Sequence, residues 1–303
     1  MRNFTVRLTA LHYTGIGFGI ILNLKAAEKF SNSVVAARID MSSGGDPIGS
    51  KWPILICLLG VFRLLKVGQP VHVRSGGKTQ GLLLNLSVSR SYCASREALL
   101  EALWPSSAES LSRQSLHTVV HGLHKLLGDA ISGLAPVIYS GGYYRLNTEA
   151  GVFVDVACFD SLAMRGDHQA RCGDIGAASA AYNQALCLYR GDLCVGADSY
   201  AVLERERVRT LYLTTLAHLA ECYYSEGSYD ACLKATLELL ANDPCREDGH
   251  RMAMRCHVRR GERSQALRQY KLCEAILRTE FNAKPEAATG SLFDQVRLDP
   301  SSI

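Results

Sequence analysis

The chain has 303 residues, room for about two domains, and its 48 % hydrophobic and 20 % charged content without low-complexity tracts excludes a disordered protein. The net charge of +4 is unevenly placed: residues 51–150 hold 10 Lys and Arg against 5 Asp and Glu, whereas residues 151–303 hold 18 against 21. Only the first of these segments can offer a polyanion a basic face.

The 11 cysteines are odd in number and never spaced as CxxC. Cys187, Cys222, Cys232 and Cys273 stand where a helix needs a small apolar residue, so free thiols in a reducing cytoplasm are expected in place of a disulfide framework.

Residues 1–50 read as an N-terminal extension. Its apolar run from Leu8 to Leu24 follows Arg2 and Arg7 as a secretory leader would, but His12, Thr14 and three glycines interrupt it, no small-x-small site follows directly, and it is short for a membrane span. The expectation is that translation begins at Met41, just before Ser42-Ser43-Gly44-Gly45-Asp46-Pro47.

From Ile54 the pattern predicts a small antiparallel sheet: strands over 54–58 and 61–65, a turn at Val67-Gly68-Gln69-Pro70, and a third strand at Val71-His72-Val73. Three helices follow. The first opens at Lys78 and carries Leu82, Leu83, Leu84 and Leu86. The second is capped by Ser95 and stopped by Pro105. The third, after the polar stretch 106–110, buries Leu116, Val119, Val120, Leu123, Leu126 and Leu127 and ends on Gly128. Its opposite face shows Arg113, Gln114, His117, Thr118, His121 and Lys125. Val137-Ile138-Tyr139 and Tyr143-Tyr144-Arg145-Leu146 then flank Ser140-Gly141-Gly142, a hairpin whose turn needs glycine for positive φ. Strands, three helices and a terminal hairpin make a winged helix-turn-helix over 51–150.

Beyond it, Val154-Asp155 opens a helix with Asp155 as its N-cap. Gly227 and Gly261 are 34 residues apart, with Cys232 and Ala266 five residues on, Thr236 and Tyr270 nine on, and Leu239 and Cys273 twelve on. Gly173, with Ala178, Tyr182 and Ala185, starts a less regular copy. Thirty-four is the tetratricopeptide period, so an all-α repeat domain is expected over 151–297, leaving 298–303 as a tail.

Two sharper motifs read blandly. Gly76-Gly77-Lys78-Thr79 lacks the glycine a phosphate loop needs, since that position is His72, and Lys78 reads as a helix start within reach of DNA. His117, His121 and His124 share a helical face, but no acid or thiol completes a metal site, so DNA contact is preferred to metal; if they face DNA, mild acid should tighten binding. The run Glu204-Arg205-Glu206-Arg207 reads as a solvated face, and Tyr223, Tyr224, Tyr229 and Tyr270 read as repeat core. No catalytic constellation stands out and no cofactor is implied.

Leu59-Gly60-Val61-Phe62-Arg63-Leu64, Ser95-Arg96-Glu97-Ala98-Leu99-Leu100 and Gly141-Gly142-Tyr143-Tyr144-Arg145-Leu146 resemble the OmpR-type winged helix. Together with Tyr189-Arg190-Gly191-Asp192-Leu193, Arg246-Glu247-Asp248-x-His250-Arg251 and Ala266-Leu267-Arg268-Gln269-Tyr270, they resemble the SARP regulators with their bacterial transcriptional activation domain. The resemblance implies a cytoplasmic activator, not an enzyme and not bound to membranes, that binds promoter direct repeats in double-stranded DNA as a homodimer and recruits RNA polymerase through the loop 105–110. On this reading Arg113, Gln114, His117, His121 and Lys125 read or position DNA, while Lys78, Arg96 and Arg145 fix its backbone. The third helix departs from the family in lacking arginines near its C-terminal half, where it has His121, Gly122, His124 and Lys125, and Tyr139 stands where the wing is commonly basic. The alternative is therefore an interaction scaffold of the repeat type whose winged helix has lost DNA binding.

Overall fold

A computed structural model describes residues 52–105, 109–194 and 199–303. The N-terminal extension with Met41, and residues 106–108 of the loop expected to meet polymerase, lie outside the described residues.

The fold opens with a four-stranded sheet of order β3-β2-β1-β7, made by β1 (Ile54–Cys57), β2 (Arg63–Lys66), β3 (Gln69–Val71) and, far along the chain, β7 (Val152–Val154). The β2–β3 hairpin is tighter than the sequence suggests. Val67 and Gly68 alone form the turn, both at positive φ of 48° and 76°, so β3 begins at Gln69. Such a two-residue turn matches the right-handed twist of its strands. Every residue of β1 is buried, and it pairs antiparallel with β2 and parallel with β7, Ile54 opposite both Lys66 and Val152. That parallel partner is not foreseen by the local pattern.

Three helices follow: α1 (Lys78–Val88), α2 (Arg96–Leu103) and α3 (Glu109–Leu127). Ser95 caps α2 as expected, its hydroxyl accepting from Ala98 N at 3.1 Å. Gly128 does not cap α3 with positive φ; it starts a short 3-10 turn, Gly128–Ile131, and the left-handed residues are Ser132 and Gly133. A Cβ on Gly128 would meet the His124 ring at 2.7 Å, so close packing is what requires glycine there. The wing is β5 (Val137–Ser140) and β6 (Tyr143–Leu146), turning through Gly141 and Gly142 at φ of 59° and 88°. A third strand, β4 (Cys93–Ser95), pairs with β6 and joins the wing to the start of α2.

Seven helices complete the fold: α4 (Asp155–Arg171), α5 (Ile175–Leu188), α6 (Ser199–Ser225), α7 (Tyr229–Asn242), α8 (Glu247–Arg259), α9 (Arg263–Phe281) and α10 (Ala287–Leu298). The turns α4–α5, α6–α7 and α8–α9 are built alike. Gly173, Gly227 and Gly261, at φ of 81°, 74° and 75°, donate to Ala170, Tyr224 and Val258 carbonyls, and the next residues donate one residue further back to Gln169, Tyr223 and His257. This is the Schellman closure, which only a left-handed residue permits. The residue five positions after each glycine, Ala178, Cys232 or Ala266, is fully buried, so small side chains let paired helices close up. The chain is thus a winged helix followed by tetratricopeptide-like helical pairs.

The two halves share a core that runs from Trp52 through α1–α3 to α4, α5 and α6. The junction is built by backbone. Gly60 N donates to Asp192 O at 3.0 Å and Cys194 N to Leu58 O at 2.8 Å, and a Cβ on Gly60 would lie 3.1 Å from Arg190 O. Asp155, expected as an N-cap, is instead the first residue of α4 with Val154 at the cap. Its carboxylate reaches Leu58 N (2.8 and 2.9 Å) and Leu59 N (2.9 Å). The Glu204–Arg209 run is likewise more than a solvated face: Arg207 grips Asp160 of α4 with two bonds of 3.0 Å, and Arg209 donates to Asn242 O. All 11 cysteines are free thiols. Among the described residues no helix is long and apolar enough to cross a membrane.

Candidate nucleic-acid interface

Helix α3 buries Leu116, Leu123 and Leu127 and half-buries Val119 and Val120. Packing of that face turns Arg113, Gln114, His117, Thr118, His121 and Lys125 outward, and all six are exposed. From Arg113 to Lys125 the helix rises about 18 Å, long enough to follow a groove through several base pairs. Gly122 lies within this stripe, and nothing in the protein comes within 4 Å of where its Cβ would be.

The C-terminal end of α3 is secured from the sheet. Lys66 Nζ donates to Leu126 O at 3.1 Å and pairs with Asp129 at 2.7 Å. The bond from Lys66 holds the Asp129 carboxyl below its usual range. Sequence reasoning missed Lys66, and no local signal marks a lysine 60 residues from its acceptor.

The wing presents its alternate residues. Tyr144 and Leu146 are buried, whereas Tyr143 and Arg145 are exposed. Arg96, at the start of α2, connects α2 to this hairpin: its N–H donates to Gly142 O at 2.9 Å and its guanidinium lies 5.9 Å from the Tyr139 ring centroid. Arg96 also pairs with Glu97 at 3.3 Å. Glu97 is held below the usual carboxylate range, first by its own backbone N–H, then by Arg96 and by Arg113 of α3. Arg96 and Glu97 therefore link the wing electrostatically to the start of the exposed α3 stripe.

Two residues grouped with this surface by sequence are turned elsewhere. The Lys78 ammonium donates to Leu103 O and lies 5.4 Å from the Trp104 ring centroid, closing the C-terminal end of α2, whose last carbonyls have no helical partner. His124 bonds Gly133 O at 3.0 Å instead of joining His117 and His121. Among the described residues no group of three or more His, Cys, Asp or Glu is placed to hold a metal ion.

The family motifs in the helical half serve packing. His250 is 1 % exposed, bonding Pro244 O at 2.9 Å through Nε2 while Nδ1 meets Gln269 at 2.8 Å. Burial lowers its pKa, consistent with a neutral ring that donates on one side and accepts on the other. Glu247 and Arg251 both bond Thr289, tying α8 to α10.

Comparison with known proteins agrees with this architecture. A family model described as the bacterial transcriptional activator domain matches residues 154–297. The regulatory protein DnrI of Streptomyces peucetius is 29 % identical over 212 residues, covering 67 % of this chain and 78 % of that protein. The transcriptional regulatory protein EmbR of Mycobacterium tuberculosis is 25 % identical over 244 residues, covering 79 % of this chain but only 62 % of EmbR. The solved structure of Mycobacterium tuberculosis EmbR in complex with a low-affinity phosphopeptide has the same fold, with a TM-score of 0.66 at 23 % identity, over 83 % of this chain and 68 % of that one. With the bacterial transcriptional activator domain matched at residues 154–297 behind a winged helix, the chain is similar to transcriptional regulators such as DnrI and EmbR.

Proposed function

We propose that the chain is a SARP-type transcriptional regulator that binds double-stranded DNA, with α3 in the major groove and the β5–β6 wing against the neighbouring backbone. The observation that carries the reading is the exposed stripe Arg113, Gln114, His117, His121 and Lys125 on a helix whose other face is buried. Arginine and glutamine are suited to bidentate contacts with guanine and adenine, and lysine to phosphate. Arg96 and Arg145 flank the stripe from the wing side as phosphate contacts. We further propose that the chain acts in the cytoplasm as an activator, binding promoter direct repeats as a homodimer and recruiting RNA polymerase.

One observation favours the competing reading, an interaction scaffold without DNA affinity: Lys78 and Arg96 are both already engaged inside the protein. The test is fluorescence anisotropy of the full chain on DNA from upstream of its own gene, beside a scrambled duplex, across a salt series. Specific binding whose affinity falls with salt is expected. Absence of specific binding at low salt selects the scaffold.

A further inference from the structure

Thr118 lies on the outermost line of α3. At about 100° per residue it is about 200° around the helix from the fully buried Leu116, while Gln114 and Lys125 are about 160° and 180° around from it. These three residues point most directly away from the core, and Thr118 is the middle one. It is exposed, with Gln114 about 6 Å before it along the axis and Lys125 about 10.5 Å beyond. When an α-helix enters a major groove, the side chains on that line are the ones nearest the base edges.

The chemistry that Thr118 can offer there is decided within the helix. Its hydroxyl donates to Gln114 O at 2.9 Å. A threonine hydroxyl has one proton, and this one is committed to the backbone one turn back, so it is not offered to O6 or N7 of guanine, N7 of adenine or O4 of thymine. With Oγ1 drawn toward the Gln114 carbonyl, staggering about the Cα–Cβ bond leaves the γ-methyl facing outward. One turn further on, Gly122 has no side chain to cover that methyl, and nothing in the protein comes within 4 Å of where its Cβ would be. The central outward group of α3 is therefore apolar, although the residue is a polar one. Among the base edges of the major groove only thymine presents a methyl group, at C5.

We propose that Thr118 is a specificity-determining residue that selects thymine, its γ-methyl packing against the thymine C5-methyl. The inference rests on α3 lying in the major groove, and it places an apolar contact beside the polar ones of Arg113 and Gln114. The Thr118 oxygen retains lone pairs that can accept from the amino group of adenine or cytosine, and a valine at this position separates that case from a methyl contact.

The test is fluorescence anisotropy of the full chain on the upstream duplex with each thymine in turn replaced by deoxyuridine, which removes the methyl and keeps the base pair. At the thymine that meets Thr118 the unaltered chain is expected to lose about fourfold in affinity, the worth of one buried methyl group. Thr118→Ser, which keeps the hydroxyl and lacks the methyl, is expected to bind thymine and deoxyuridine alike at that position. Thr118→Val, which keeps a methyl and lacks the hydroxyl, is expected to retain the preference for thymine. A duplex bound specifically by the unaltered chain with no sensitive thymine, an undiminished preference in Thr118→Ser, or its loss in Thr118→Val would each overturn the proposal. Absence of specific binding by the unaltered chain at low salt would overturn the DNA reading itself, and this inference with it. Thr118 is exposed, so neither substitution removes core packing; thermal unfolding checks that each variant folds, and the scan on the unaltered chain needs no variant.

Discussion

The carboxylate of Asp155 and the backbone N–H of Leu58 meet at 2.8 and 2.9 Å across 97 residues of sequence. With the bond to Leu59 N, this fully buried side chain fastens the first turn of α4 to the end of β1. Burial raises its pKa from 3.8 to about 6, against the pull of the backbone donors and Arg63. The folded pKa lies above the unfolded one, so the contribution of Asp155 is fully present below about pH 4 and lost as pH rises through about 6. Two units correspond to about 3 kcal/mol. Urea unfolding at pH 4.5 and pH 7.5 checks this. Asp155→Asn should flatten that portion of the pH dependence. At pH 4.5, where most of the contribution of Asp155 is present, it should also cost about 1–3 kcal/mol, since an amide presents one acceptor where the N–H groups use two oxygens. Identical pH slopes in both proteins would remove Asp155 from the account.

Arg113 and Lys125, at the two ends of the exposed α3 stripe, should fail differently. Lys125→Ala removes a point charge suited to phosphate, so affinity should fall alike on all sequences and the salt slope should become shallower by about 0.9. Arg113→Ala should instead cost about 1–3 kcal/mol of discrimination at one base position. Anisotropy on single-substitution duplexes separates the two; equal losses on specific and scrambled DNA for Arg113→Ala would make it another phosphate contact.

Gly122 interrupts that stripe with an exposed helical glycine whose Cβ would meet nothing. In isolation Gly122→Ala should stabilise the chain by about 0.5–1 kcal/mol, read as a rise in Tm, because alanine is the better helix former. DNA affinity then reports on the interface. If the DNA backbone approaches α3 closely at Gly122, affinity falls although stability rises. If Tm does not rise, the helix is held so firmly by tertiary packing that local propensity no longer matters.

What was readable in the sequence is what short-range periodicity controls. The 34-residue spacing located Cys232 and Ala266 in the core and Gly227 and Gly261 in matching turns, because pairing successive helices repeats one local geometry. The exposed face of α3 followed from the spacing of Leu116, Val119, Val120, Leu123 and Leu127 on the other, although Leu126, expected to be buried with them, is exposed. What escaped depends on partners distant in sequence. Asp155 has good N-cap chemistry, yet its acceptors are needed by β1; Lys78 has the look of a phosphate ligand, yet Leu103 O and Trp104 claim it. The parallel pairing of β7 with β1, and of β4 with the wing, likewise joins segments too short to announce themselves.

Gly166 and Tyr182 provide a test of how α4 and α5 are held. A Cβ on Gly166 would lie 2.3 Å from the Tyr182 ring, which is 1 % exposed and donates its hydroxyl to Asp167 at 2.7 Å. The ring is fixed at both ends, so it cannot swing aside cheaply. Gly166→Ala should therefore destabilise the chain by about 1–3 kcal/mol through overpacking, although alanine is the better helix former. Tyr182→Leu alone should also destabilise, by leaving space beside Gly166 and breaking the bond to Asp167. Combined, the two changes should cost less than the sum of their separate effects, since the new methyl enters the space the ring vacates. Urea unfolding of the four proteins measures that coupling. Additive losses would mean that α4 shifts away from α5 as a unit and that the Gly166–Tyr182 contact does not set their separation.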